Sequence, residues 1–106
     1  MKQIIEQVKH IADCLSNPEL FDSECFEDGE PNALEYLSDT FDIEYIVSGD
    51  GSYRGARVLV AFGGPNIWID TKTNTVEGYW WNDKHFESFT DELGLDAALC
   101  ELWECR

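Results

Sequence analysis

Apolar residues recur with a helical period from the start of the chain to Ser16. Ile4, Ile5, Val8, Ile11, Ala12 and Leu15 fall on one stripe, with Lys2, Glu6, Lys9 and Asp13 off it. That spacing predicts an amphipathic helix. Ser16-Asn17-Pro18 ends it, because a residue before proline is pushed out of the helical region. The stretch from Glu19 to Gly29 is compatible with a short helical turn docked by Leu20, Phe21 and Phe26. Pro31 suits the first position of a helix. Leu34 and Leu37 then give a second helix to about Thr40, with Glu35 and Asp39 outside.

From Phe41 the period changes to two. Phe41, Ile43, Tyr45 and Val47 alternate with Asp42, Glu44, Ile46 and Ser48, which reads as a half-buried strand. After the Ser48–Ser52 turn cluster, residues 57–62 form a second strand, with Val58, Val60 and Phe62 on one face. Gly63-Gly64-Pro65-Asn66 breaks it. Residues 67–70 and 75–81 are third and fourth strands around a Thr71–Asn74 hairpin turn. Connections this short predict antiparallel neighbours. Asn82 to Phe86 reads as loop, and Ser88 or Thr90 as the cap of a last helix striped by Leu95, Leu99 and Leu102, with Gly94 kinking it or delaying its start to Asp96. The expected fold is α+β: a four-stranded antiparallel sheet with about three helices packed on one face, in the order ααββββα. The 106 residues make a single domain, 1–106.

Charge changes the picture. Between His10 and Tyr53 the chain carries twelve carboxylates and no Lys or Arg, and its formal net charge is −15. Like charges on one fold repel and oppose compaction, though they favour solubility. Hydrophobic content of 43% and aromatic content of 13% argue against disorder. Seven Lys and Arg residues are too few for a phosphate-binding surface, and an anionic membrane would repel the chain. No basic start precedes an apolar run, and no apolar stretch approaches the length of a membrane span. The expectation is therefore a cytoplasmic protein with reduced thiols at Cys14, Cys25, Cys100 and Cys105.

Chemistry-bearing motifs are few. The cysteines include no C-x-x-C pair, so no zinc site is expected. Asp22, Glu24, Glu27, Asp28 and Gly29 do not follow the ligand spacing of a calcium loop. The Gly-rich Ser48–Gly55 segment lacks the Gly-Lys-Ser/Thr ending of a phosphate loop and leads into a strand. Arg54 and Arg57 are expected to pair internally with the acid excess. His10 and His85 have no nucleophile placed beside them by sequence, so no catalytic residue and no cofactor is assigned.

The aromatics carry more. With Phe41, Ile43, Tyr45, Val58, Val60, Phe62, Ile67, Ile69 and Val76 directed to the core, the opposite face holds Ile46, Leu59, Ala61, Trp68, Tyr79 and Trp81. That set is too apolar for a plainly solvated face. Either a helix or the Glu19–Gly29 segment covers it, or it is a partner-binding patch. Tyr79-Trp80-Trp81 must divide between the two faces, with Trp80 suited to the core.

The segments Phe62–Thr71 and Val76–Trp81 resemble a segment of small acidic proteins of phages and mobile elements. In size, acidity and lack of catalytic motifs the chain also resembles anti-CRISPR proteins, some of which imitate DNA. That resemblance implies an inhibitory binding protein, not an enzyme. Its partner would be a basic nucleic-acid-binding protein such as a CRISPR effector or nuclease, met as a monomer or homodimer in the host cytoplasm. Glu19, Asp22, Glu24, Glu27, Asp28 and Glu30 form the leading patch. Asp39, Asp42 and Glu44 extend it, and Trp68 or Trp81 anchors the contact. A second expectation is an interaction module that works through the aromatic sheet face, self-association being one form of it, with acidity serving solubility. Immunity or antirestriction activity belongs to the same range.

Overall fold

Five strands follow one another as an antiparallel meander, β1 (Asp42–Val47), β2 (Tyr53–Ala61), β3 (Asn66–Asp70), β4 (Thr75–Trp80) and β5 (Asp83–Ser88). Helix α1 (Lys2–Ser16) precedes the sheet, followed by two single 3-10 turns (Pro18–Leu20 and Ser23–Cys25) and the short α2 (Ala33–Ser38). Helix α3 (Leu95–Glu104) closes the chain. This computed structural model describes residues 2–105, without the side chains of Lys2, Gln3 and Ser23. The expectation that Lys2 lies off the α1 stripe therefore falls outside the described side chains.

The α+β class and the antiparallel sheet are as expected, but the sheet has five strands rather than four. β5 occupies most of the segment read as loop. Its Asp83-Lys84-His85-Phe86-Glu87-Ser88 sequence is poor in β-branched residues and offers little strand signal. It forms because β4 templates it through six consecutive pairs, from Thr75–Ser88 to Trp80–Asp83. Its charges suit an edge strand, where they discourage further pairing.

The core lies between one sheet face and the helices α1 and α3. Ile4, Val8 and Leu15 from α1 meet Leu95 and Leu99 from α3 over Val58, Ile67, Ile69 and Val76, all essentially without solvent exposure. Burying side chains of this size contributes roughly 1.5–3 kcal/mol each. Gly78 lets α1 come close to β4: a Cβ there would collide with Val8 and Ile4. Phe41 and Phe62, expected in the core, are instead 59% and 61% exposed, their rings in edge contact at 5.1 Å. They lie beyond the helix-covered rows, one before β1 and the other after β2. A bulge between Leu59 and Ala61 shifts the register of β2. Ala61 consequently packs against the core rather than joining the opposite face.

Side chains set the helix ends. Asn32 caps α2, its side-chain oxygen accepting the Glu35 N–H at 3.0 Å. Pro31 thus precedes the cap and is not the first helical residue. Helix α3 starts at Leu95, and neither Ser88 nor Thr90 caps it. Asp91 does so from further back, accepting the N–H groups of Gly94, Leu95 and Asp96 at 2.8–2.9 Å. A carboxylate there also opposes the positive end of the helix dipole. The same loop closes α1, as Glu92 N–H donates to the Leu15 carbonyl at 3.2 Å. No helix among the described residues is long and apolar enough to cross a membrane.

Candidate functional site

Residues paired directly across an antiparallel ladder share a face. One rung runs Ile43–Val58–Ile69–Val76–Glu87, and its neighbour runs Asp42–Leu59–Trp68–Glu77–Phe86. The first belongs to the helix-covered face. The second belongs to the other side, together with Glu44, Arg57 and Asp70 from the next rung and the pair Tyr79–Lys84. Contacts fix which side the helices take. α1 sits over Gly78, Tyr45 meets Trp103 of α3 at 5.2 Å, and the α2 region reaches Val60. Among the described residues no helix covers the second face. Leu59, Trp68 and Tyr79 are half-buried there, and Phe86 is exposed. Of the two expectations for the apolar set, cover by a helix or by the Glu19–Gly29 segment is therefore not what the fold provides.

A polar network lies across this open face. Arg57 donates to Glu77 at 2.9 Å, approaches Glu44 at 3.7 Å, and places its guanidinium carbon 4.4 Å from the centre of the Trp68 ring. Tyr79 donates to the same Glu77 carboxylate at 3.0 Å and packs edge-on against Phe86. Desolvation works against the charged guanidinium, but the Glu77 hydrogen bond and the Glu77 and Glu44 charges outweigh it and raise the Arg57 pKa. The expectation of internal pairing thus holds for Arg57. Arg57, Glu77 and Phe86 were not selected from the sequence as site residues. Arg57 and Glu77 are twenty positions apart, and only strand register brings them together.

The sequence-selected acids do not form one patch. Glu19, Asp22, Glu24, Glu27, Asp28 and Glu30 are exposed on the turns between α1 and α2, on the helix side of the sheet. Asp39 ends α2, on that same side. Asp42 and Glu44 project from edge strand β1 onto the open face. The fold divides the run between two surfaces because side chains alternate along β1. Glu44, Glu77 and Glu87 take part in ion pairs, and no ion pair among the described residues involves one of the turn acids. Some carboxylates also hold backbone turns. Asp22 accepts the Glu24 N–H, Glu35 the Glu27 N–H, and Asp70 those of Lys72 and Thr73.

Trp68 lies at the centre of the open face, under Arg57. Trp81 lies on neither face. It occupies the two-residue turn between β4 and β5, is 90% exposed, and has φ of 57°. A bulky residue in that left-handed region is strained. Trp80 packs against the core, as expected.

A small cleft lies beside the turn acids. Phe21, Cys25, Phe26, Tyr36, Asp39, Thr40 and Val60 line about 210 Å³. Phe21 makes edge contacts with both Phe26 and Tyr36, at centroid distances of 5.4 and 5.5 Å. Burial pushes the Tyr36 pKa up to about 12. Elsewhere, His85 is part of a strand and pairs with Glu87 at 2.5 Å. No group of three or more metal-ligating side chains assembles among the described residues. All four cysteines are free.

No protein-family model, curated protein or solved structure matches this chain. Its surface chemistry is the basis for any functional reading.

Proposed function

We propose that this is an acidic inhibitory binding protein that occupies the nucleic-acid-binding surface of a basic protein in the cytoplasm of a host cell. The single observation that carries the reading is the Glu19–Glu30 segment, a set of exposed carboxylates without an ion pair among the described residues. A nucleic-acid-binding channel is itself a concentration of Lys and Arg that attracts anions over long range. Carboxylates on a folded surface compete with phosphates for such a channel. Charge sets the encounter rate, and desolvated anchors slow dissociation; Trp81, which lies on neither face, is the candidate, whereas Trp68 lies on the face opposite the turn acids. A CRISPR effector, a restriction enzyme or a toxin nuclease has the required surface.

The open sheet face favours a second reading, an interaction module anchored by Leu59, Trp68, Tyr79 and Phe86. The two readings separate in one experiment. The immobilised protein captures partners from a host lysate and is eluted with a salt gradient, with and without competing duplex DNA. A nucleic-acid-binding protein released by moderate salt, displaced by duplex and lost with Glu24→Lys/Glu27→Lys/Asp28→Lys supports mimicry. Normal capture by that variant sinks it. Loss on Trp68→Ala with little salt dependence supports the sheet face instead.

A further inference from the structure

We infer that the cleft between the turn acids and β2 is a receptor for one arginine side chain of the basic partner. This rests on the reading above and names where a partner cation is seated. Three aromatic residues, Phe21, Phe26 and Tyr36, line the cleft together with Asp39, whose side chain carries the one charge among the lining residues. Aromatic faces attract cations through their quadrupole. A planar guanidinium both stacks on rings and takes a bidentate carboxylate contact, which an ammonium does not.

Size and charge select the same occupant. At about 210 Å³ the cleft is below the roughly 300–1,000 Å³ of sites for drug-sized ligands or cofactors. It suits a single side chain. The flanking Asp22, Glu24, Glu27 and Asp28 are exposed carboxylates, and the chain has no Lys or Arg between His10 and Tyr53 to occupy the site from within. At a net charge of −15 a second copy is repelled, which favours a basic partner over self-association. Thr40 lines the cleft and is followed in the chain by the exposed Phe41, whose ring meets Phe62.

The test is a titration of isotope-labelled protein with the tripeptide acetyl-Gly-Arg-Gly-amide, following the ring resonances of Phe21, Phe26 and Tyr36. Parallel titrations use the citrulline and norleucine tripeptides, which keep length but lose charge. Saturable shifts confined to the cleft rings are expected with arginine only. Asp39→Asn, at an exposed position, is expected to weaken binding about ten-fold while leaving the fold unchanged. The inference is overturned by shifts spread evenly over the acidic surface, by equal binding of the norleucine peptide, or by an unchanged affinity of Asp39→Asn. Equal binding of a lysine tripeptide would replace the arginine receptor with a general cation site. Partner capture that survives Asp39→Asn but not the triple charge reversal removes the cleft inference and leaves the proposed function standing.

Discussion

Trp68 and Ile69 are neighbours in β3, yet they belong to different environments. Ile69 is fully buried beneath the helices, in a rung of Ile43, Val58 and Val76. Trp68 is half-exposed, in a rung that begins with Asp42 and ends with Phe86. Both rows are apolar at their centres, but only one has helices to bury it. The covered face holds the fold together. The other spends large side chains where they contribute less to stability, with Arg57 and Glu77 interleaved. A surface of that kind is suited to contact.

The contrast is testable first at the pair itself. Ile69→Ala is expected to cost about 2–5 kcal/mol, by lost transfer energy and a cavity. Trp68→Ala removes a larger side chain but should cost only about 1 kcal/mol, mainly from its half-burial and the Arg57 contact. Denaturant midpoints of the two variants check this. Equal losses would make the open face structural and end the comparison.

Gly78→Ala probes the covered face from the opposite direction. The added methyl would meet Val8 and Ile4, and overpacking of this sort costs about 1–3 kcal/mol. Thermal unfolding measures it; a neutral result would mean that α1 yields easily and that this face is less tightly packed than described.

Trp81→Gly should run the other way. It releases the strained φ of 57° and should stabilise the protein by about 1 kcal/mol. Partner capture should fall in the same variant if the indole is an anchor. Stabilisation with unchanged capture would remove Trp81 from the binding surface.

The smallest expected effect lies in the β1–β2 turn. Hydrogen bonds from the Ser48 and Ser52 side chains, then from the Ser52 N–H, hold the Asp50 pKa at about 2, below its ordinary 3.8. The folded pKa is depressed, so its contribution is present above about pH 4 and is lost as pH falls through about 2. Trp103 donates to Gly51 in this turn at 3.3 Å. Indole resonances of Trp103 should therefore follow the acid titration, and Asp50→Asn should abolish that step.

Much of this was legible in the chain. The α1 stripe stands out because one face of a long helix must be apolar to dock, and Ile4, Val8, Ala12 and Leu15 are all buried. β1 to β4 stand out because their period is two, and Trp80 was rightly directed inward. The acidity needed only counting. β5 left little trace, since an edge strand bound through its backbone to β4 needs few strand-favouring side chains. Asp91 was missed as a cap because it acts through a loop rather than from the position before the helix. The cleft joins Phe21, Tyr36 and Val60, three residues too far apart for any local pattern to connect.

The sequence by itself determined the α+β class, most of the elements and the excess of negative charge, because periodicity and composition are local properties. Tertiary structure alone decided which sheet face stays open, how the acids divide between two surfaces, and that Arg57 meets Trp68 and Glu77. Those outcomes depend on strand register and on the side to which α1 and α3 pack. The strand pattern favours one side, since Asp42, Glu44, Arg57, Asp70 and Glu77 all fall on the open face. Leu59, Trp68 and Tyr79 share that face, so the pattern leaves open whether anything covers them, and the helices, docking on the Gly78 side, decide it.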